Sequence, residues 1–204
     1  MTLGGGAARP GPTDPATLDA PLRALFEVVA AADRPVDPDL PAIGDAMVAL
    51  ARDHDWLVPK VAELGDRSGM IRLHVPERGP RLMLVHRLPG QMSAVHSHGC
   101  WVAIAPVSGI ETHRRYRVVG DGARARLERF SEQALRFGDA ATILPPDDIH
   151  DHGCLVPQGD AAYVLIMTGD DQNRFVREEW DLDTGRRKTL DVGERGRWVS
   201  SEPF

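Results

Sequence analysis

The 204-residue sequence has only two cysteines, Cys100 and Cys154, and therefore contains no disulfide framework. So little cysteine is typical of proteins kept in a reducing compartment, and we predict a cytoplasmic location. No apolar run approaches the roughly 20 residues of a transmembrane helix, so the sequence predicts no membrane span. The first 14 residues also lack the apolar core of a signal peptide, and we predict a flexible leader there.

Basic charge is scarce as well. The chain has 24 Lys and Arg against 30 Asp and Glu, which gives a formal net charge of −6 at pH 7. Nucleic acids and anionic membranes are recognised through an excess of positive charge, so the sequence predicts neither as a partner. We predict a small-molecule partner instead, and a chain that acts as a monomer or a homodimer.

Helical periodicity is confined to the first part of the chain. Apolar residues recur with the spacing of amphipathic helices over residues 15–32 and 39–56. Short apolar runs broken by Gly and Pro follow, and they predict strands. These runs are residues 70–75, 81–88, 96–107, 112–119, 126–130, 140–144, 161–168, 174–182 and 187–192. Asp183, Thr184 and Gly185 predict a hairpin turn between the last two runs.

This order of elements predicts the fold class. Two helices followed by many strands, without alternating helices, favour an all-β sandwich or barrel with a helical segment before it. The length suits one domain. We therefore expect a single domain over residues 15–204, with the helical segment at 15–60 and the β-barrel at 68–195.

The stretch VHSHGCWVAIAPVSG, residues 95–109, points to a chemical function. His96 and His98 are two residues apart, so on one strand both imidazoles point to the same face. Two neighbouring imidazoles are costly to bury unless their nitrogen atoms are satisfied, and a metal ion would satisfy them. In the alternative, the two histidines face solvent on an edge strand.

The residues around these histidines resemble the first motif of the cupin superfamily. Gly90 precedes His96 and Gly109 follows His98 at the spacing of that motif. The glutamate that usually serves as a metal ligand is missing, because its position is occupied by Val102.

A second cupin motif is recognisable further along the chain. Gly138, Pro145 and His150 match its pattern, although the first glycine lies one residue further from the proline than usual. Asp147 replaces a glycine of the motif, and Cys154 stands where it has asparagine. Together the two motifs imply a cupin double-stranded β-helix barrel that binds a metal.

The segments HSHGCWVAIAPVSGIETHRRYR and PPDDIHDHG resemble the cysteine dioxygenase family, and most closely its bacterial members, which include 3-mercaptopropionate dioxygenases. The resemblance covers about residues 70–185. Members of this family bind ferrous iron through three histidines and no carboxylate, which accounts for Val102. The resemblance implies that His96, His98 and His150 bind Fe(II), and that a small thiol is oxidised to a sulfinate by O2. Zn or Ni could occupy the site after purification, because affinity alone does not select iron.

The remaining histidines carry weaker expectations. We expect His152 either to support the metal ligands without binding the metal or to lie on the surface. The other four are expected on the surface or hydrogen-bonded in the core. They are His54, His74, His86 and His113.

Characterised thiol dioxygenases carry a Ser-x-His-x-Tyr relay on the strand after the third ligand. An ungapped alignment from His150 places this relay at Tyr163, Leu165 and Met167, so only a tyrosine is present, in the serine position. We predict that these three residues line the substrate cavity and favour a less polar thiol than free cysteine. The missing relay leaves two other functions open, a cupin that binds metal and a small ligand without turnover, and a metal-dependent isomerase or hydrolase.

A substrate with a carboxylate would be recognised by an arginine, whose planar fork makes two hydrogen bonds to it. Arg72 lies roughly where the cysteine-specific members of the family place theirs. Arg177 lies near the position used by the mercaptopropionate type, if the alignment shifts by one residue. The alternative for each is a solvated arginine on a strand.

Overall fold

A computed structural model of the chain describes residues 18–120, 126–155, 160–183, 186–190 and 198–203. The predicted leader lies outside these ranges, as do Thr184 and Gly185 of the predicted hairpin turn.

Helices come first in the described chain, and there are three of them rather than the two predicted. They are α1 (Ala20–Ala32), α2 (Leu40–Ala51) and α3 (His54–Leu64). The second predicted segment ran across the boundary between α2 and α3. Asp53 creates that boundary, because its side chain accepts a hydrogen bond from the backbone N–H of Trp56 at 3.1 Å and caps α3. No helix in the described ranges is both long and apolar enough to span a membrane.

Strands make up most of the rest of the described chain. They are β1 (Gly69–His74), β2 (Arg81–Arg87), β3 (Gln91–Met92), β4 (Val95–His96), β5 (Val102–Ser108), β6 (Glu111–Val119), β7 (Arg126–Leu135), β8 (Ala141–Ile143), β9 (His150–Cys154), β10 (Ala162–Thr168), β11 (Arg177–Asp181), β12 (Arg186–Leu190) and β13 (Trp198–Pro203). A short 3-10 helix, Gln172–Arg174, precedes β11.

The strands form two antiparallel sheets. The first has the order β1-β2-β10-β5-β8, and the second has the order β13-β12-β11-β4-β9-β6-β7, with β3 beside β9. Within them, β2-β10-β5-β8 and β4-β9-β6-β7 are the two four-stranded sheets of an eight-stranded jelly roll. This strand order is that of a double-stranded β-helix, so the predicted cupin fold is confirmed. The antiparallel pairing of β11 with β12 also agrees with a hairpin at this point.

Two separate apolar layers hold the barrel together. The helices pack against the outer face of the first sheet, where Ile43 and Met47 of α2 lie in one apolar cluster with Leu84 and Leu165. The space between the sheets holds a second cluster. Its members include Val85, Val102, Ile104, Ile143, Val164 and Ile166 from the first sheet, and Leu135 and Cys154 from the second. Each large apolar side chain buried in this way stabilises the fold by about 1.5–3 kcal/mol.

A tight turn at Gly109 joins β5 to β6 and passes the chain from one sheet to the other. Gly109 has a φ of +75°, and a Cβ on it would lie 2.5 Å from the carbonyl oxygen of Ala161. Only glycine fits this position. The turn fixes where β6 starts, and therefore where Glu111 enters the barrel.

Candidate metal centre

Strand β9 places His150 and His152 on the inner face of the second sheet. The two residues are separated by one position, and Cys154, two positions further, lies in the cluster between the sheets. Across the strands, His150 pairs with His96 on β4, and His152 pairs with His113 on β6. The sheet therefore gathers histidines from three strands at one place inside the barrel.

Four imidazoles surround one point in this histidine cluster, which we define as His96, His98, His150 and His152. The ring centroids of His96 lie 4.6 Å from His98, 4.7 Å from His150 and 5.9 Å from His152. One nitrogen atom from each of His96, His150 and His152 lies within 4.8 Å of the others. The Nε2 atoms of His98 and His150 are 2.8 Å apart.

Two members of the cluster are held by hydrogen bonds at the nitrogen that faces away from it. His96 Nδ1 lies 2.8 Å from the carbonyl oxygen of Ala94, which fixes the N–H on Nδ1. His152 Nδ1 lies 2.7 Å from a carboxylate oxygen of Glu111. Such partners fix the tautomer and the ring orientation of metal-binding histidines, and they leave Nε2 free to bind.

The other two members also fit a shared metal ion. His150 Nδ1 lies 2.8 Å from His113 Nε2, so His113 can accept the Nδ1–H while Nε2 faces the cluster. Metal–nitrogen bonds are about 2.0–2.1 Å long, so two nitrogen ligands that form a right angle at the metal are about 2.9 Å apart. The Nε2 atoms of His98 and His150 have nearly this separation. Within the described ranges, Nδ1 of His113 is buried without a hydrogen-bond partner, and the side chain of Gln172 lies close enough to His98 to raise its pKa.

The histidines of the cluster are held in the neutral form. Burial lowers the pKa of His98, His150 and His152 well below the ordinary value, and the neighbouring imidazole of His96 lowers each further, because protonated rings this close would repel each other. Burial also lowers the pKa of His96, although its hydrogen bond to Ala94 opposes the shift. Neutral imidazole is the form that binds a metal ion.

Glu111 is the functional residue that the sequence reasoning missed. Its side chain is fully buried, one of its oxygen atoms has no partner among the residues that the structure describes, and burial raises its pKa to about 7. The signal was present in the sequence, since the acidic residue stands two positions after the motif glycine Gly109. Glu111 is not one of the predicted metal ligands. Its carboxylate instead orients the ring of His152.

Replacing Glu111 with glutamine should weaken metal binding by about 10- to 100-fold, the usual effect of removing such an orienting partner. Competition with a chelator of known affinity would measure it, with the exposed Glu63→Gln as the matched control. Unchanged affinity in Glu111→Gln would show that the Glu111 carboxylate does not support a metal ligand.

The structure brings together His96, His98 and His150, the three residues that the resemblance implies as ligands. Of the two positions expected for His152, the surface is excluded, because His152 is 4% exposed and belongs to the cluster. His113 was expected on the surface or hydrogen-bonded in the core, and the second alternative is confirmed, because it is 1% exposed and bonded to His150. The other three lie away from the cluster: His54 is exposed beside Phe137, His74 contacts Phe26, and His86 stacks on Tyr163.

The prediction that three β10 residues line the substrate cavity is wrong. Leu165 and Met167 are fully buried in the layer between the first sheet and the helices, and Tyr163 packs against that layer. The hydroxyl of Tyr163 donates to the carbonyl of Gly65 at 3.2 Å. These side chains point away from the histidines, so they do not line a cavity there. The β10 residues that face the barrel interior are Ala162, Val164 and Ile166.

The two arginines proposed for carboxylate binding lie in different surroundings. Arg72 is exposed on β1, the edge strand of the first sheet, opposite Met83. Arg177 is half-buried on β11, and its Nη1 donates to Gln172 Oε1 at 2.9 Å. Arg177 stands two positions before Glu179, which pairs with His96 across the strands, and its charge contributes to the lowered pKa of His96 and His98.

No protein family and no curated protein matches this sequence. Among solved structures, the chain is similar to an RmlC-like cupin family protein from Methanocaldococcus jannaschii. The two share 9% identity over 53% of this chain and 84% of that chain, and the TM-score is 0.39. A double-stranded β-helix protein from Klebsiella pneumoniae has 18% identity over 53% and 82%, with a TM-score of 0.36. The DMSP lyase DddQ from Ruegeria pomeroyi has 15% identity over 54% and 50%, with a TM-score of 0.37.

Likenesses this distant assign no activity, and they do not support the narrower resemblance to cysteine dioxygenases. The strand order and the histidine cluster instead define the class: a cupin fold with a candidate metal centre of histidines inside the barrel.

Proposed function

We propose that this protein is a metal-dependent cupin enzyme that oxidises a small thiol to a sulfinate with O2, and that Fe(II) is its metal in the cell. The observation that carries the proposal is the donor set. Among the described residues, the group positioned to hold a metal consists of histidines and contains no carboxylate.

Neutral imidazoles leave the charge of a divalent metal uncompensated. A bound Fe(II) would supply the redox chemistry with O2, and its full charge would favour a thiolate over a neutral ligand. The chain itself orients the donors. Glu111 and the carbonyl of Ala94 hold the rings of His152 and His96, and His113 holds His150.

The opposite sheet places apolar side chains inside the barrel. Val102, Ile104, Val164 and Ile166 face inward from it, and each is at most 6% exposed. An apolar environment strengthens the electrostatic interactions inside it. The protein thus supports the proposal with positioning and with an apolar environment.

A cupin that binds metal and a small ligand without turnover is the second candidate. The inner face of β10 favours it, because the side chains of Ala162, Val164 and Ile166 offer no hydrogen-bonding group that could replace the relay of thiol dioxygenases.

Oxygen uptake distinguishes the two candidates. The protein would be loaded with Fe(II) without air, and O2 consumption would be followed electrochemically with a panel of small thiols, each product being identified by mass spectrometry. We expect uptake coupled one-to-one to sulfinate formation with at least one thiol, and none in the His96→Ala variant. Stoichiometric iron without thiol-dependent uptake would contradict the dioxygenase and favour the binding module.

A further inference from the structure

His98 is the predicted metal ligand that lies outside a strand. Strand β4 ends at His96 and β5 begins at Val102, so the strand predicted over residues 96–107 is interrupted between them. A residue in such an interruption lacks the ladder hydrogen bonds that fix a strand residue. A metal ligand must nevertheless be held within about 0.5 Å of its place, so other contacts have to position His98.

The carboxylate of Asp148 supplies such contacts. One of its oxygen atoms, Oδ2, accepts hydrogen bonds from the backbone N–H of His98 at 2.7 Å and from that of Gly99 at 2.9 Å. The Asp148 side chain is buried, as is His98. Hydrogen bonds to an ionised acceptor are about twice as strong as neutral ones, and a buried position strengthens them further.

Glycine at position 99 lets the backbone make this turn. Gly99 has a φ of +72°, which other residues adopt only with strain, and a Cβ on it would lie 2.5 Å from Cβ of Phe175. Successive N–H groups of a turn form a concave site for an anionic oxygen. The N–H groups of His98 and Gly99 therefore converge on the single oxygen of Asp148.

Asp148 is itself fixed by its place in the second sheet. It stands two positions before His150, and the carbonyl of Ile149 between them accepts a hydrogen bond from the N–H of Tyr116 at 2.9 Å. One short segment thus carries a predicted ligand, His150, and holds the backbone of another, His98, which is 50 positions earlier than Asp148. The Nε2 atoms of these two ligands lie 2.8 Å apart.

We propose that Asp148 is a positioning residue that sets the place of His98 in the metal centre before the metal binds. Asp148 acts through the backbone of His98, not by contact with the metal. The inference rests on the metal binding of the proposed function and not on the oxidation of a thiol. Neither the motifs nor the resemblance assigned a role to Asp148.

Cobalt(II) tests this role, because its visible absorption depends on the number and arrangement of its ligands. The protein would be titrated with cobalt without air, in competition with a chelator of known affinity. We expect Asp148→Ala to weaken cobalt binding by about 10- to 100-fold and to change the absorption of the cobalt-saturated protein. Asp148→Asn keeps a side-chain oxygen that can accept both N–H groups, so it should retain the wild-type absorption and lose less affinity.

Asp147→Ala is the matched control, since this acid is exposed and one position away, and it should behave as the wild type. If Asp148→Ala does not fold, Asp148→Glu replaces it in the test. Glutamate keeps the charge and moves the oxygen atoms by one methylene group, so it should also weaken cobalt binding and change the absorption. Wild-type affinity and absorption in the folded variant would overturn the positioning role.

Amide hydrogen exchange separates positioning from general stability. In metal-free protein, the N–H groups of His98 and Gly99 should exchange at least about 10-fold faster in Asp148→Ala, whereas those of β5 and β9 should exchange as in the wild type. A merely structural role would reduce the protection of both strands and leave the absorption of the cobalt-saturated protein unchanged. That pair of results would overturn the inference.

The wild-type protein distinguishes this inference from the proposed function. Cobalt binding with the expected effects of the Asp148 variants, but without thiol-dependent O2 uptake by the iron-loaded protein, would contradict the thiol oxidation alone. Thiol oxidation with unchanged cobalt binding in Asp148→Ala would overturn the positioning role alone. A wild-type protein that binds no cobalt and no iron would overturn both.

Discussion

Replacing His150 with alanine is expected to abolish stoichiometric metal binding. His150 is fully buried at the middle of the cluster, with Nε2 at 2.8 Å from His98 Nε2 and Nδ1 at 2.8 Å from His113 Nε2. The variant would lose a nitrogen ligand of the metal, and also the ring that contacts His98 and His113. Loss of an orienting partner alone costs about 10- to 100-fold in affinity, so loss of the donor should cost more than 100-fold.

Metal analysis after dialysis against a weak chelator measures this effect. His54→Ala is the matched control, because His54 is exposed and contacts Phe137 far from the cluster. Near-ultraviolet circular dichroism would show whether His150→Ala keeps its tertiary structure. Full metal content and unchanged affinity in a folded His150→Ala protein would remove His150 from the ligand set.

The same measurement separates the roles of His98 and His152. The family resemblance assigns His98 as a ligand, whereas the geometry adds His152, whose Nδ1 is held by Glu111. We expect each single alanine variant to lose metal affinity. A variant that keeps full stoichiometry and affinity would remove its residue from the ligand set.

The fold could be predicted from the sequence because its signals are local. Gly90, Gly109 and Gly138 mark turns with positive φ, and short apolar runs between such turns predict the strands. The third helix was missed because periodicity continues across the boundary at Asp53, where one side-chain hydrogen bond ends one helix region and starts the next.

The candidate site could be predicted only where its residues are close in sequence. The spacing of His96 and His98 predicts a shared face, and the motif adds His150. The role of His152 depends on the pairing of β9 with β6, which places it opposite His113, 39 positions earlier in the chain. No local pattern encodes that pairing, so the sequence shows Glu111 beside the motif glycine Gly109 but not that it bonds to His152.

The direction of the β10 side chains was also beyond local reasoning. An alternating strand has two faces, and a shift of one residue exchanges them. Counting without gaps from His150 selected Tyr163, Leu165 and Met167, whereas packing of the helices on the first sheet turns those residues outward. The register of β10 against β5 also shifts between Tyr163 and Val164.

Free cysteine is expected to be a poor substrate or none, and the corrected face of β10 gives the reason. The interior positions Ala162, Val164 and Ile166 are as apolar as the positions first assigned, so the relay is missing in either alignment. An ammonium group facing them would lose hydration worth several kcal/mol without a replacement partner. Of the nearby acids, Glu111 is bonded to His152 and Glu179 lies beside Arg177.

A matched pair of substrates isolates the ammonium. Cysteine and 3-mercaptopropionate share a thiol and a carboxylate, and cysteine differs by its ammonium group. With iron-loaded protein, we expect kcat/KM for cysteine to be lower by about 100-fold or more, because each 1.4 kcal/mol of lost hydration costs about tenfold. The measurement is O2 uptake together with the quantity of each sulfinate formed. Cysteine sulfinate produced at about 1 per second or faster would show that an apolar wall accepts the ammonium and that the relay is dispensable.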